Sequence, residues 1–158
     1  LSISMAATTF AGQNIGAGKA DRVRKGMYIS TAMGAGYSVI TGIVLLIFAP
    51  QVIGVFTTNH KVVEYGVYIM KYFCPFYFLL GIMHSLAGTI RGTGKTVPPM
   101  VVMLLALCLF RILWIHFVVP QFTSIDIIYV LYPVSWAVGM VLMLIYAWKG
   151  TSDRTAEN

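Results

Sequence analysis

The chain has 158 residues, of which 58% are apolar and only 10% charged, with a mean hydropathy of +0.81. Soluble domains carry about 25% charged residues, so this composition cannot cover a water-facing surface and excludes a soluble globular fold. The net charge of +6 sits in a few loops; it fits a membrane surface and does not call for nucleic acid.

Residues 1–17 form an apolar stretch that opens on Leu1. They read as the end of a transmembrane helix begun upstream, in a C-terminal piece of a longer protein. No basic start, short apolar run and small-residue cleavage site marks a signal peptide. A second segment, 26–49, stops at Pro50, and a third covers 64–89. A fourth, 97–119, has Pro98 and Pro99 in its first turn and Pro120 after its end. Proline suits both places: first-turn residues need no helical N–H bond, and a following proline stops a helix. A fifth, 124–148, has Ser124 or Asp126 as its cap. Residues 149–158 are a polar tail. Each full segment supplies the roughly 20 apolar residues of a membrane span, and the runs do not alternate as barrel strands do. The expected fold is an all-α integral membrane protein: the end of one transmembrane helix plus four full ones.

Charge gives the bundle an orientation. Lys19, Arg22, Arg24 and Lys25 follow the first segment, Arg91 and Lys95 follow the third, and Lys149 and Arg154 lie in the tail. If every segment spans, all eight lie on one side, and an excess of Lys and Arg marks the cytoplasm. The C-terminus is then cytoplasmic. Tyr65, Tyr68, Tyr129 and Tyr132 near the outer ends, with Tyr28, Tyr146 and Trp148 near the inner ends, suit interfacial belts.

Gly88–Thr96 reads GTIRGTGKT. A phosphate-binding loop needs a glycine where Thr89 stands, so this is a Gly-rich turn with Arg91 and Lys95 facing water and headgroups. Ser30, Gly34, Ser38 and Gly42 recur every four residues. Such a stripe lets helix backbones approach closely, within the chain or in a homodimer. Cys74 and Cys108 lack metal or disulfide spacing. No nucleophile–base pair, metal-ligand cluster or carboxylate pair stands in the spans, which argues against an enzyme.

Arg111 is the most unusual residue. It lies about 20 Å from one end of its segment and about 12 Å from the other, at 1.5 Å per residue. A charge there costs at least about 2.5 kcal/mol, so it faces a cavity or a partner, or snorkels outward. His84 reads as a packing histidine or a cavity group. Pro75 and Pro133 interrupt the third and fifth segments, and such breaks occur where helices line cavities. Phe73, Phe76, Tyr77 and Phe78 cluster beside Pro75; they can stack on a flat organic cation or simply pack. The candidates for a substrate cavity are Arg111, Tyr77, His84 and Phe76.

Two loops carry a resemblance. Residues 12–26, GQNIGAGKADRVRKG, resemble the loop after the eighth helix of multidrug and toxic compound extrusion (MATE) transporters. Residues 91–100, RGTGKTVPPM, resemble the loop between their tenth and eleventh helices. The resemblance spans about residues 1–148. It implies most of the C-terminal six-helix lobe of a twelve-helix exporter. Such proteins are multi-pass plasma-membrane antiporters that exchange small organic substrates, often cationic, for H⁺ or Na⁺ by rocking the two lobes. No cofactor beyond that coupling ion is implied, and the partners are the bilayer and the N-terminal lobe. In some members an acid in the tenth helix binds the cation; here Leu80 stands near that position. Arg111 and the following Ile-Leu-Trp-Ile resemble the bacterial DNA-damage-inducible-F-like branch, whose coupling aspartate lies in the N-terminal lobe. The alternatives are a lipid-linked oligosaccharide flippase of the same superfamily, a membrane enzyme with catalytic residues upstream, or a non-transporting assembly subunit.

Overall fold

The computed structural model describes residues 1–122 and 125–152. Ser124 and the tail beyond Ser152, with Arg154, lie outside the described residues. Among those described there are eight α-helices and no strand. They are α1 (Ser2–Gly16), α2 (Ala20–Ile47), α3 (Ala49–Gly54), α4 (His60–Phe73), α5 (Tyr77–Gly92), α6 (Val97–Leu104), α7 (Phe110–Phe117) and α8 (Asp126–Ser152). Four stretches are long and apolar enough to cross a membrane: Ala20–Ile47, His60–Gly92, Val97–Gln121 and Asp126–Lys149.

The helices overrun the apolar segments at their charged ends. α2 starts at Ala20, with Asp21 in its first turn where the helix dipole favours an acid. α4 starts at His60, and the Asn59 side chain caps it by accepting from the Lys61 N–H at 3.1 Å. Charges mark where a helix meets water, not where it ends. Two glycines do mark ends. Gly18 (φ +69°) and Gly94 (φ +87°) adopt the left-handed conformation just past α1 and α5. Behind Gly18 the Lys19 N–H donates to Asn14 O (2.8 Å) and the Gly18 N–H to Ile15 O (3.0 Å), the paired bonds of a Schellman stop.

Proline and one unmarked break shape the spans. Pro75 cannot donate its N–H, and the chain tightens into a 3₁₀ turn over Cys74–Phe76 between α4 and α5. Leu105–Leu109 forms a π turn between α6 and α7. No proline or glycine stands there. The turn brings fully buried Ala106 against α8, where a Cβ on Gly139 would lie 3.1 Å from Ala106 Cβ and 2.7 Å from Met83 Sδ.

α5 is the hub. A Cβ on Gly88 would collide with the Ser4 carbonyl, and one on Gly92 with the Thr8 carbonyl, so α1 lies backbone to backbone on α5. On its other flank, a Cβ on Gly81 would lie 2.5 Å from both Gly34 O and Ser38 Oγ. A Cβ on Gly42 would lie 2.6 Å from Cys74 O. The small-residue stripe of α2 thus packs within the chain. Hydroxyls stitch the same seam: Ser4 Oγ donates to His84 O (2.8 Å) and Thr8 Oγ1 to Gly88 O (2.9 Å). Arg91, expected to face water, is half-buried instead. The close approach of α1 lets its Nη2 donate to Ser4 Oγ at 3.1 Å. Met83, Leu86, Ala87 and Ile90 then bury against Met143 and Ala147 of α8. The outermost span keeps Leu104, Leu109, Ile112 and Phe117 exposed, as lipid contact requires.

Apolar side chains gain little by leaving lipid, so close backbone packing has to hold the seam. Gly88→Ala should therefore lower stability by about 1–3 kcal/mol, the usual range for overpacking. Gly36→Ala, on the open face of α2, should be neutral or slightly stabilising. Thermal melting in detergent separates the two; equal melting points would contradict the tight seam.

Candidate functional site

The Pro75 turn sets Phe73 as the last residue of α4 and Tyr77 as the first of α5. On α8, Tyr132, Ser135 and Trp136 fall at helical spacing and share one face. The two elements meet ring to ring. Phe73 lies 5.0 Å from Tyr132 and 6.1 Å from Trp136, and Tyr77 lies 5.8 Å from Trp136, all tilted. Tyr132 and Trp136 stand edge to face at 6.4 Å. Such pairs add about 0.5–1.5 kcal/mol each beyond their buried area. The result is an aromatic wall running from the helix break to α8.

Arg111 closes this wall. It is the second residue after the π turn. One extra residue in a helical turn rotates everything beyond it by about 100°, and the turn therefore fixes the face on which Arg111 emerges. Its guanidinium carbon sits 4.5 Å from the centroid of the Tyr132 ring. Its Nε donates to Ser135 Oγ at 3.2 Å. Ser135 is fully buried, and its hydroxyl in turn donates to Tyr132 O at 2.8 Å. The charge is thus neither paired with an acid of the described residues nor directed along its own helix. It is held by one hydroxyl and one ring of α8.

The four residues singled out from sequence divide. Arg111 and Tyr77 join the aromatic wall. His84 lies about two turns further along α5 than Tyr77 and lines a hollow of about 460 Å³ against α1 and α2, with Ser4, Tyr37, Ser38 and Ser85. Phe76 belongs to neither group and is 41% exposed. Sequence reasoning missed Ser135 and Trp136 and assigned Tyr132 to an interfacial belt. The helical spacing of Tyr129, Tyr132 and Trp136 carried the signal for one aromatic face. Tyr68 and Tyr129, also assigned to the belt, build a second cluster nearer the start of α8. The Tyr68 hydroxyl donates to Asp126 Oδ1 at 2.9 Å and lies 3.1 Å from the Tyr72 hydroxyl. The rings of Tyr68, Tyr72 and Tyr129 pack at 5.2–6.4 Å. This network fastens α4 to α8 outside the wall.

A cation over a ring in a partly desolvated place is worth about 0.5–2 kcal/mol. A double-mutant cycle of Arg111→Met with Tyr132→Leu, read by thermal or denaturant melting, should return a coupling of that size. Strictly additive losses would show that the guanidinium does not rest on the ring.

Comparison with known proteins agrees with this architecture. Residues 1–115 match the MatE family model, which thus includes Arg111 and stops before α8. Over 114 residues the chain is 31% identical to "Probable multidrug resistance protein NorM" of Thermotoga maritima, covering 70% of this chain and 24% of that protein. Over 158 residues it is 25% identical to "Probable multidrug resistance protein YoeA" of Bacillus subtilis, covering 94% and 33%. The chain therefore spans only a quarter to a third of the length of these relatives. With a family match over most of its length and an all-helical, multi-span fold, the chain belongs to the MatE family.

Proposed function

We propose that this chain is part of a secondary active multidrug efflux antiporter, exporting small organic substrates in exchange for H⁺ or Na⁺ by alternating access. The observation that carries the reading is the family match together with two relatives named as multidrug resistance proteins. The geometry supports it. A broken helix, α4–α5, bears an aromatic wall, and flat organic molecules bind by stacking on such walls. The seam of α1, α2 and α5 supplies a stiff body suited to move as one piece against a second lobe.

Orientation and coupling extend the proposal. The Gly18 and Gly94 turns, each flanked by basic residues, face the cytoplasm of a bacterial plasma membrane, as does the C-terminus. Leu80 lies beside the His84 hollow, at the place where some family members carry a cation-binding acid. The coupling carboxylate is accordingly assigned to the other lobe. A lipid-linked oligosaccharide flippase is the second reading, and one observation favours it: a guanidinium, apt for pyrophosphate, stands in the wall.

The complete gene, expressed in a drug-sensitive host, should lower cellular accumulation of fluorescent dyes and fluoroquinolones. Unchanged accumulation with the protein present in the membrane would defeat the efflux reading. Arg111→Ala, at an equal membrane level, should cut fluoroquinolone export about tenfold or more, the effect of losing one charge-assisted contact. Export at the wild-type rate would remove Arg111 from the substrate path.

A further inference from the structure

We infer that the Arg111 wall selects flat aromatic substrates bearing a carboxylate over the equivalent molecules without one. The inference rests on the export reading above and names the substrate class of the same surface.

The bonding of the guanidinium carries the argument. Arginine is charged at every relevant pH and offers five N–H donors in a rigid fork. Here Nε is engaged by Ser135 Oγ, and Ser135 is itself fixed by its bond to Tyr132 O. Stacking on Tyr132 sets the plane of the fork. The two Nη groups have no hydrogen-bond or ion-pair partner among the described residues. Two parallel N–H bonds from that end match a carboxylate, and they are the strong, geometrically specific kind. The nearest acid along α8, Asp126, is engaged by the Tyr68 hydroxyl in the separate tyrosine network.

The wall supplies the other half of the recognition. From the guanidinium towards the Pro75 turn, Tyr132, Phe73, Trp136 and Tyr77 follow one another at ring separations of 5.0, 6.1 and 5.8 Å, with Trp136 buried and the other three half-buried. A ring system stacked there reaches the fork with an attached carboxylate. A purely cationic molecule in the same place meets a like charge in a medium that screens it poorly. Zwitterions satisfy both requirements, since their positive group can lie along the ring faces and away from Arg111.

A rhodamine free acid and its methyl ester test this directly. They share one ring system and differ by a single methyl, yet the acid is zwitterionic and the ester a simple cation. Fluorescence titration of the purified full-length protein should give the acid at least about tenfold tighter binding. Arg111→Gln should abolish that advantage, and Arg111→Lys should keep only part of it, since lysine lacks the fork. Equal or tighter binding of the ester by the wild-type protein overturns the inference without reference to any variant. The titration is repeated in phosphatidylcholine and phosphatidylglycerol nanodiscs, where the advantage should persist in both. Its loss in phosphatidylglycerol alone would assign the guanidinium to lipid headgroups and overturn the inference. Whole-cell export of the two dyes is a separate readout. Export without an acid preference defeats this inference alone, whereas an acid preference in binding without export of either dye defeats the efflux reading alone.

Discussion

Direct backbone contact along α5 is the constraint on which the rest of this structure depends. In a bilayer, moving a leucine from lipid to protein gains little, so helices must be held by close approach and by hydrogen bonds. Gly81, Gly88 and Gly92 leave no space for a Cβ against α2 or α1. Ser4 and Thr8 use that proximity to bond carbonyls of α5. Everything else is hung on this seam. α8 packs on the remaining face through Met83, Leu86 and Met143, and the outermost span leans on α8 at Ala106 and Gly139.

A stiff seam allows irregular helices elsewhere. The Pro75 turn and the π turn each sacrifice regular helical bonding, and both sit next to the aromatic wall. The first sets the positions of Phe73 and Tyr77, the second the face of Arg111. Breaks of this kind recur where membrane helices line a site rather than lipid. Ser135 then performs two tasks with one hydroxyl, accepting from Arg111 and donating to its own helix. A charge that is costly in a membrane is in this way built into the packing of α7 on α8, with four of its five N–H donors left over for a ligand.

Much of this was legible in the sequence, for identifiable reasons. Long uncharged runs disclose membrane spans because a bilayer core tolerates few charges. The Gly-rich turns disclose helix ends because Gly18 and Gly94 must adopt positive φ. The Ser30–Gly42 stripe disclosed a close helix contact, although not that its partner is α5. Helices α2 and α4 begin several residues before their apolar segments, because the charged stretches at 20–25 and 60–64 continue the helix into water. The π turn left no mark, since Leu-Ala-Leu-Cys-Leu is as compatible with a regular helix. Without it the direction of Arg111 could not be derived, and the role of Ser135 and Trp136, some 24 residues further on, stayed hidden. Long-range partners of a single charge are set by tertiary packing, which periodicity does not report.

Amide hydrogen exchange on the protein in nanodiscs tests the central claim, that α5 is the body on which the other helices are mounted. Exchange reports the free energy of local opening, helix by helix. The segment Ser85–Ile90, buried at every residue, is predicted to be the slowest-exchanging stretch of the chain, slower than the lipid-facing span Val97–Phe117. Equal or greater protection in Val97–Phe117 would contradict the account.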